Sequence, residues 1–257
     1  MKSTALAHTP SATSFPAGTS AQYAVRLAGS RDEIRAAQHL RFQVFNLELS
    51  EGLDRSYATG LDQDRFDSVC DHLIAVHVPT GELAGTYRIQ TGLSALAGIG
   101  YYSEQEFDFG PYEGLRPEMV EVGRACVGRR HRNLSALGTL WRGIAQYAKE
   151  RRARYLVGCS SLPTLDPAAG WSVYNQLCES HLCPPPLFTS PAPGWECMPV
   201  DLPSTPFSVP KLLRAYLGLG AVICAHPAQD RQFGTIDFLT LLDLESLPEA
   251  ARLRFLR

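Results

Sequence analysis

Two charged residues on one predicted strand are the first candidates for chemistry. Glu121 and Arg124 lie in the segment 118–127, where apolar and charged residues alternate as they do in a β-strand. A carboxylate on a central strand can act as a general base, because it can take a proton from an attacking amine directly or through water. A structural ion pair, for example with Arg88, explains the same pattern. In an ideal strand the spacing places Glu121 and Arg124 on opposite faces.

A basic turn follows this strand and precedes a predicted helix. The turn 128–133 is Gly-Arg-Arg-His-Arg-Asn, and apolar residues then repeat at helical spacing over 134–148. The start of a helix offers unpaired N–H donors at the positive end of its dipole, so the turn is a candidate anion site. It lacks a Gly-x-Gly pattern, and a single phosphate therefore fits it better than a pyrophosphate. A solvated loop is the alternative interpretation.

A group of aspartates forms a second candidate binding site. Its members are Asp62, Asp64, Asp67 and Asp71. Their spacing is not that of a calcium-binding loop, which needs a central glycine and a distal glutamate. Helix capping and solvation explain some of these residues, and a substrate amine would be bound by the others.

A zinc site and a covalent nucleophile have weaker support. Zinc-binding residue types occur at Cys178, His181, Cys183 and Cys197. Their irregular spacing and the surrounding prolines are not typical of a zinc knuckle. Ser160 and Ser161 lack the Gly-x-Ser-x-Gly elbow, and Cys159 is predicted to be a core thiol. We therefore expect no metal ion.

The bulk composition excludes several classes of function. The chain has 257 residues, a formal net charge of −2 and 7 cysteines. This charge gives no general attraction to nucleic acid, and an odd number of scattered cysteines indicates reduced thiols in the cytoplasm. Residues 1–22, rich in small residues and proline, are predicted to form a flexible tail and not a signal peptide. No apolar run reaches the about 20 residues that span a bilayer, which leaves peripheral contact with the inner membrane open.

Strands and helices alternate along the rest of the chain, which favours the α/β class with a mixed central sheet flanked by helices. The predicted strands are 23–27, 72–78, 82–90, 118–127, 155–159, 220–225 and 233–242. The predicted helices are 31–45, 134–154, 171–182, 211–219 and a short one after 248. No linker divides this pattern, so we expect one domain over 23–257. The proline-rich segment 183–210 is predicted to be irregular.

An ordered set of motifs is more specific than any of these patterns. The motifs are Arg41-Phe-Gln-Val-Phe45-Asn46, Asp64-Arg-Phe-Asp67, Cys70-Asp71-His72-Leu73, Gly85-Thr-Tyr-Arg88-Ile-Gln90, Tyr102-Ser-Glu-Gln-Glu-Phe107-Asp108, Glu121-Val-Gly-Arg124-Ala-Cys-Val127, Leu140-Trp-Arg-Gly-Ile-Ala145, Gly158-Cys-Ser-Ser-Leu162 and Tyr216-Leu-Gly-Leu-Gly220. Over about 23–247 they closely resemble the bacterial ornithine N-alpha-acyltransferases of ornithine-lipid synthesis. That family is similar to the acyl-homoserine-lactone synthases and has a fold like that of the GCN5-related N-acetyltransferases (GNAT).

The resemblance implies transfer of a 3-hydroxy fatty acyl group from acyl carrier protein to the α-amine of ornithine, giving a lyso-ornithine lipid. It implies no bound cofactor, because the donor is the thioester of the carrier's 4′-phosphopantetheine arm. Carried over by motif, the catalytic residues are Glu121 and Arg124, and the substrate-binding residues are Arg41, Phe42, Asp64, Asp67 and Arg88. The phosphopantetheine and carrier-binding residues are Cys126, Val127, Arg129, Arg130, Arg132 and Asn133.

Each group has an expected role. Asp64 and Asp67 would hold the amine, and Arg88 and Arg124 would position carboxylates. The basic turn would face the acidic carrier protein, and backbone N–H groups near Cys126 would stabilise the oxyanion. Acylation of another amino acid such as glycine, and a non-catalytic module that binds a carrier protein or a lipid, stay open. A lactone synthase fits less well, since it uses S-adenosylmethionine.

Overall fold

The computed structural model describes residues 22–201 and 207–255, so the predicted tail lies, apart from Gln22, outside the described residues. The strands are β1 (Tyr23–Leu27), β2 (Asp71–His77), β3 (Leu83–Thr91), β4 (Met119–Val127), β5 (Tyr155–Leu162), β6 (Val222–Ile223), β7 (Ala228–Asp230) and β8 (Thr235–Asp243). The helices are α1 (Arg31–Phe42), α2 (Ser56–Thr59), α3 (Gly92–Ala97), α4 (Leu134–Glu150), α5 (Pro167–His181), α6 (Lys211–Gly218) and α7 (Glu249–Phe255). None of the helices in this part of the chain combines the length and the apolar character needed to span a bilayer.

The strands form one mixed sheet in the order β1-β2-β3-β4-β5-β8-β6, with β7 paired to β8. All neighbours are antiparallel except β4 and β5, which are parallel. A parallel pair needs a crossover connection, and α4 supplies it between β4 and β5. The predicted α/β class with a mixed central sheet is confirmed.

Helix α4 packs against the first three strands through a face of small and apolar residues. Leu140, Ile144 and Ala148 are buried there. Gly143 allows the close approach, since a Cβ at this position would lie 2.6 Å from the Val25 side chain. Burial of this face stabilises the packing of α4 on the sheet by the hydrophobic effect, and the start of the same helix reaches the cavity described below.

Strands β4 and β5 stay paired over only three residues. Met119 to Glu121 pair with Tyr155 to Val157, and no further pairing of these two strands occurs among the described residues. At the last point of contact Gly158 lies so close to β4 that a Cβ would be 2.2 Å from the carbonyl oxygen of Val122. Beyond it the strands diverge, which leaves backbone groups on both edges free to bind a ligand.

The first helix also continues toward the site. Ser30 caps α1 by accepting a hydrogen bond from the Glu33 N–H at 3.2 Å, as its sequence predicts. After Phe42 the chain widens into a π-helical turn, Gln43–Glu48, and Val44 and Phe45 of this turn line the gap between β4 and β5. Such π-turns are frequent at functional sites.

The described parts of the proline-rich segment, 183–201 and 207–210, are irregular, as predicted, and the first of them is held along the edge of the sheet. The Cys183 N–H donates to the Ile223 carbonyl at 3.0 Å, and the Thr189 N–H donates to the Cys224 carbonyl at 2.7 Å. The sequence prediction missed α2, α3, β7 and the first turn of α5. The sequence did not predict the hydrogen bonds of the proline-rich segment to the sheet, because the prolines cannot donate them and isolated residues such as Cys183 and Thr189 do.

Candidate active site

A cavity of about 770 Å³ lies in the gap between β4 and β5. Its walls come from these two strands, from the start of α4, from α6 and from the turn after α1. Of the residues predicted from the sequence, the cavity is lined by Arg88, Glu121, Arg124, Val127, Arg132 and Asn133. The mouth of a gap in a sheet is a common place for a ligand.

Glu121 is held in one orientation by three donors. Its Oε1 accepts from the Ser103 N–H at 2.8 Å and from the Ser103 hydroxyl, and its Oε2 accepts from the Tyr102 N–H at 2.9 Å. Burial raises the pKa of the Glu121 carboxyl, and the hydrogen bonds from Ser103 limit the rise. A buried carboxylate with a raised pKa at a cavity is a candidate general base.

Arg124 reaches the same cavity because β4 contains a β-bulge. Thr86 pairs with Cys126 but Arg88 pairs with Gly123. Arg124 and Ala125 of β4 therefore both lie opposite Tyr87 of β3. Arg124 has a φ of 48°, which turns the chain at this point. The expectation that Glu121 and Arg124 point to opposite faces is therefore wrong, since it assumed a regular strand.

The Arg124 guanidinium is enclosed by aromatic rings and carboxylates. It lies 4.6 Å from the ring centroid of Tyr102 and 4.4 Å from that of Phe233. Its Nη2 is 3.1 Å from Asp64 Oδ2, and its Nε is 3.3 Å from Asp62 Oδ2. Arg124 is thus fixed in place from three sides.

Arg124 belongs to a buried network of three arginines and three aspartates, whose other members are Arg41, Arg88, Asp62, Asp64 and Asp67. Arg41 contacts Asp62 at 2.8 Å and Asp67 at 2.7 Å, and Arg88 contacts Asp64 at 2.6 Å. Although burial acts to raise the pKa of Asp64, the charges of Arg88 and Arg124 hold it well below its usual value. The charges in the network are balanced.

This network changes the role expected for four predicted residues. Asp64 and Asp67 cap a 3-10 turn and pair with arginines, so neither carboxylate lies free at the cavity to hold an amine. Arg41 is fully buried, and Phe42 packs edge-on against Tyr57 at 5.6 Å. None of the four lines the cavity, and three of them, Arg41, Asp64 and Asp67, belong to the ion network that holds Arg124 and Arg88.

The basic turn divides into two parts. Arg132 and Asn133 line the cavity, and Arg132 donates to the Val127 carbonyl at 3.0 Å and to Glu48 at 2.6 Å. Arg129 and Arg130 face away from the cavity, and the Arg130 side chain is 86% exposed.

The predicted helix-dipole site is already partly occupied. The Asn133 side chain caps α4 by accepting from the N–H groups of Ser135 at 3.0 Å and Ala136 at 2.9 Å. These first-turn amides are thus not available to a phosphate. The Arg132 guanidinium is the cation of this turn that remains at the cavity.

The backbone of Val127 points into the gap. Gly128 donates to the Ala84 carbonyl of β3 at 2.9 Å, and the alternation of an antiparallel ladder then directs the Val127 N–H and C=O away from β3. The hydrogen bond from Arg132 to the Val127 carbonyl agrees with this direction. Cys126 packs with core residues such as Leu40 and Phe45, and burial raises its thiol pKa to about 12.

A group of carboxyls at the cavity was not predicted from the sequence. Glu51 and Asp237 line the cavity, and Glu106 and Asp230 are buried nearby. Tyr102 connects them to the rest of the site, because its hydroxyl donates to Asp230 at 2.9 Å and its N–H donates to Glu121. Tyr102 and Glu106 belong to one of the motifs quoted above, but Glu51, Asp230 and Asp237 lie outside all of them, so no single motif indicated the group.

Most of the remaining lining is apolar. Its residues belong to the main core cluster of the protein and include Val122, Leu137, Trp141, Leu156, Tyr216 and Leu242. The site thus joins a polar part around Arg124 to an apolar part between β4, α4 and α6.

Comparison with known proteins decides the family. A family model described as "Acetyltransferase (GNAT) domain" matches residues 40–142. A protein of Brucella abortus (strain 2308) named "L-ornithine N(alpha)-acyltransferase" is 33% identical over 242 residues, covering 87% of this chain and 85% of that protein. The chain belongs to the L-ornithine N(alpha)-acyltransferase family. A relative of the same name from Rhodobacter capsulatus is 31% identical and covers 90% of this chain and 93% of its own length.

Solved structures agree on the fold. FeeM, an N-acyl amino acid synthase from uncultured soil microbes, superimposes with a TM-score of 0.55 at 14% identity, covering 90% of this chain and 98% of its own. The AHL synthase LasI gives a TM-score of 0.51 at 13% identity, with 91% and 94% covered. This member of the ornithine acyltransferase family is therefore an acyltransferase with a GNAT-like fold.

The residues considered for zinc do not form a site in this acyltransferase. Within 22–201 and 207–255, the one group of metal-binding side chains close enough to share an ion is Glu106, Cys159 and Asp237. Cys183 instead lies in a core cluster with Cys224, while Cys197 lies in another with Leu177.

Proposed function

We propose that this protein transfers a fatty acyl group, with a 3-hydroxyl, from acyl carrier protein to the α-amine of ornithine. The product would be a lyso-ornithine lipid, and the reaction would be the first step of ornithine-lipid biosynthesis. The observation that supports it most is a buried, oriented carboxylate, Glu121, at the junction of the polar and apolar parts of one cavity. The names of the relatives supply the amine and the position acylated.

Glu121 has one place left for the substrate proton. A carboxylate offers about four lone-pair positions, two on each oxygen. Oε1 already accepts two hydrogen bonds from Ser103, whereas Oε2 accepts only the one from Tyr102. The free lone pair of Oε2 is where the α-amine, or a water that relays its proton, would bind. Because burial raises its pKa, the Glu121 carboxylate is a stronger base than that of an exposed glutamate.

The acyl chain fits the apolar part of the cavity. A fatty chain buried between Leu137, Leu156 and Leu242 would gain about 0.8 kcal/mol for each CH₂ removed from water. The pantetheine arm would follow the free edge of β4, and the Val127 N–H would donate to the oxyanion of the tetrahedral intermediate.

The phosphate and the carrier protein call for cations at the mouth. Arg132 and Lys211 both line the cavity and would bind the single phosphate. Arg129 and Arg130, which are exposed, would contact the acidic surface of the carrier protein. The donor is thus a thioester substrate, and no resident cofactor takes part.

The chemistry we propose is direct attack of the amine on the thioester. Cys159 lines the cavity, but burial and then the charge of Glu106 raise its thiol pKa well above the usual value, which disfavours the nucleophilic thiolate. Ser160 accepts a hydrogen bond from Thr240 at 2.9 Å and has no histidine partner among the contacts of the described residues. An acyl-enzyme is therefore not part of the proposal.

Contact with a membrane surface would help release a lipid product. Leu49 and Leu134 line the cavity and expose 47% and 76% of their surface, respectively. Exposed apolar residues at a cavity mouth favour a peripheral interaction. Sedimentation with phospholipid vesicles tests it, and Leu134→Ser should reduce the bound fraction.

Glu121→Gln tests the general base. The variant keeps the size of the side chain, and we expect single-turnover acyl transfer from loaded carrier protein to ornithine to fall by about 100-fold or more. Glu150→Gln, an exposed change on α4, is the matched control. Turnover of Glu121→Gln within threefold of wild type, with intact folding, would contradict the role. A panel that includes glycine identifies the amine.

A further inference from the structure

Three carboxyls at one end of the cavity have no cationic partner. Glu51 and Asp237 line the cavity and Glu106 lies behind them, fully buried. Within the part of the chain that the structure describes, none of the three forms an ion pair with an arginine, lysine or histidine. The network around Arg41, in contrast, matches each aspartate with an arginine.

Asp237 lines the cavity and has one buried carboxyl oxygen without a hydrogen-bond partner among the described residues. The residue is 3% exposed, and its Oδ2 accepts a hydrogen bond from the Thr235 hydroxyl at 3.3 Å. Its Oδ1 has no donor among the described residues, nor has Oε1 of Glu106. The carboxyl oxygens of these two residues and Cys159 Sγ lie within 4.8 Å of one another.

Such an arrangement is unfavourable without a ligand. Buried carboxylates are normally paired with a cation; burial raises the pKa of Glu106 well above its usual value, so a protonated Glu106 can donate to Asp237, but no cation offsets the remaining negative charge. Burial raises the pKa of Asp237 to about 6, and burial together with the charge of Asp237 raises that of Glu51 to about 7. A bound ammonium group would satisfy the free oxygen with a charge-assisted hydrogen bond and would offset the negative charge.

We propose that Asp237, supported by Glu51 and Glu106, binds the side-chain ammonium of a dibasic amino acid and thereby selects ornithine among amino acids. This inference rests on the proposed function of the cavity. It assigns amine recognition to a cluster that is separate from the predicted Asp64 and Asp67, whose charges are already matched by arginines.

The position of Tyr102 supports this assignment. Its N–H donates to Glu121, its ring lies under Arg124, and its hydroxyl donates to Asp230 beside the carboxyl cluster. One tyrosine thus extends from the proposed base to the cluster. Ornithine carries four carbons between its two nitrogens, and the distance it can span is similar to that between the N–H and the hydroxyl of Tyr102. Its α-amine could meet Glu121 while Arg124 binds its carboxylate and Asp237 its side-chain ammonium.

The test compares ornithine with L-norvaline, which has the same carbon chain but no terminal amine. We expect wild type to acylate ornithine with a kcat/KM about 100-fold or more above that for norvaline, since a buried polar site rejects an analogue that leaves it unpaired. Asp237→Asn should lower kcat/KM for ornithine by about 10- to 100-fold and change that for norvaline less than about threefold. Glu150→Gln should change neither.

Several results would overturn the inference. Norvaline acylated within threefold of ornithine by wild type would do so, as would an equal loss for both substrates in Asp237→Asn. If Asp237→Asn does not fold, Glu51→Gln and the wild-type comparison decide. Stoichiometric zinc or magnesium in the purified protein, with ornithine preference lost on chelation, would assign the cluster to a metal.

Binding separates this inference from the proposed function. Calorimetry of the wild-type protein with ornithine and with norvaline needs no acyl donor. Ornithine bound in preference to norvaline, with no acyl transfer from any thioester, would refute the proposed reaction and support the ammonium site. Acyl transfer to ornithine with equal binding of both amino acids would support the proposed reaction and refute the ammonium site.

Discussion

Replacement of Asp62 by asparagine would unbalance the buried ion network. Asp62 is 1% exposed, and its Oδ2 lies 2.8 Å from Arg41 Nε and 3.3 Å from Arg124 Nε. Asp62→Asn keeps the shape of the side chain and removes one negative charge, which leaves three arginines facing two aspartates. Loss of one partner from a buried pair typically costs about 3–5 kcal/mol, because the remaining charge is uncompensated.

Such a loss is a large part of the stability of a domain, which is about 5–15 kcal/mol. Urea denaturation at pH 7, followed by circular dichroism, gives the free energy of unfolding of wild type and variant. Glu82→Gln is the control: its carboxylate lies 3.9 Å from Arg130 at the surface, and we expect a change below about 1 kcal/mol. A loss below about 1 kcal/mol for Asp62→Asn would refute the reasoning that the network needs matched charges.

Three further changes test the gap, the carboxyl cluster and the basic turn. Gly158→Ala should cost at least about 2 kcal/mol of unfolding free energy, because its Cβ would lie 2.2 Å from the Val122 carbonyl oxygen. Gly114→Ala is the control and should be neutral, because a Cβ there meets nothing within 4 Å. Equal urea midpoints for the two variants would contradict this prediction. Burial raises the pKa of Asp237 to about 6, so the folded protein holds a proton that the unfolded chain releases, and its stability falls as pH rises toward 6. Asp237→Asn should therefore stabilise the ligand-free protein by about 1–3 kcal/mol at pH 7.5 and by less at pH 5. A change in stability that does not depend on pH would refute the assignment. Reversal of charge at Arg129 and Arg130 should raise the KM for carrier protein about tenfold at low salt and leave kcat unchanged, because these exposed side chains steer association; an unaltered KM would contradict it.

The order of strands and helices could be predicted from local patterns. Alternation in 119–127 and helical spacing in 134–150 identify β4 and α4, and Ser30 marks the start of α1. These patterns arise because one face of each element is buried, and the polarity of each residue shows on which face it lies. The motifs then predicted the family and its fold.

The arrangement around Arg124 could not be predicted in the same way. A β-bulge depends on how two strands pair, and neither strand alone records the extra residue. Charge balance is also a property of assembled segments. Asp64 and Asp67 resemble free ligands in the sequence and are occupied by arginines in the fold, whereas Asp237 is isolated in the sequence and lies beside Glu106 in the fold.

The position of the new amide bond tests the central claim most directly. Purified protein is incubated with ornithine and with a carrier protein that bears a 3-hydroxy fatty acyl thioester, and the product is fragmented by tandem mass spectrometry. If Glu121 receives the proton of the α-amine while Asp237 holds the side-chain ammonium, the acyl group will be found only on the α-nitrogen. An acyl group on the side-chain nitrogen, or no amide product from any acyl thioester, would contradict the account.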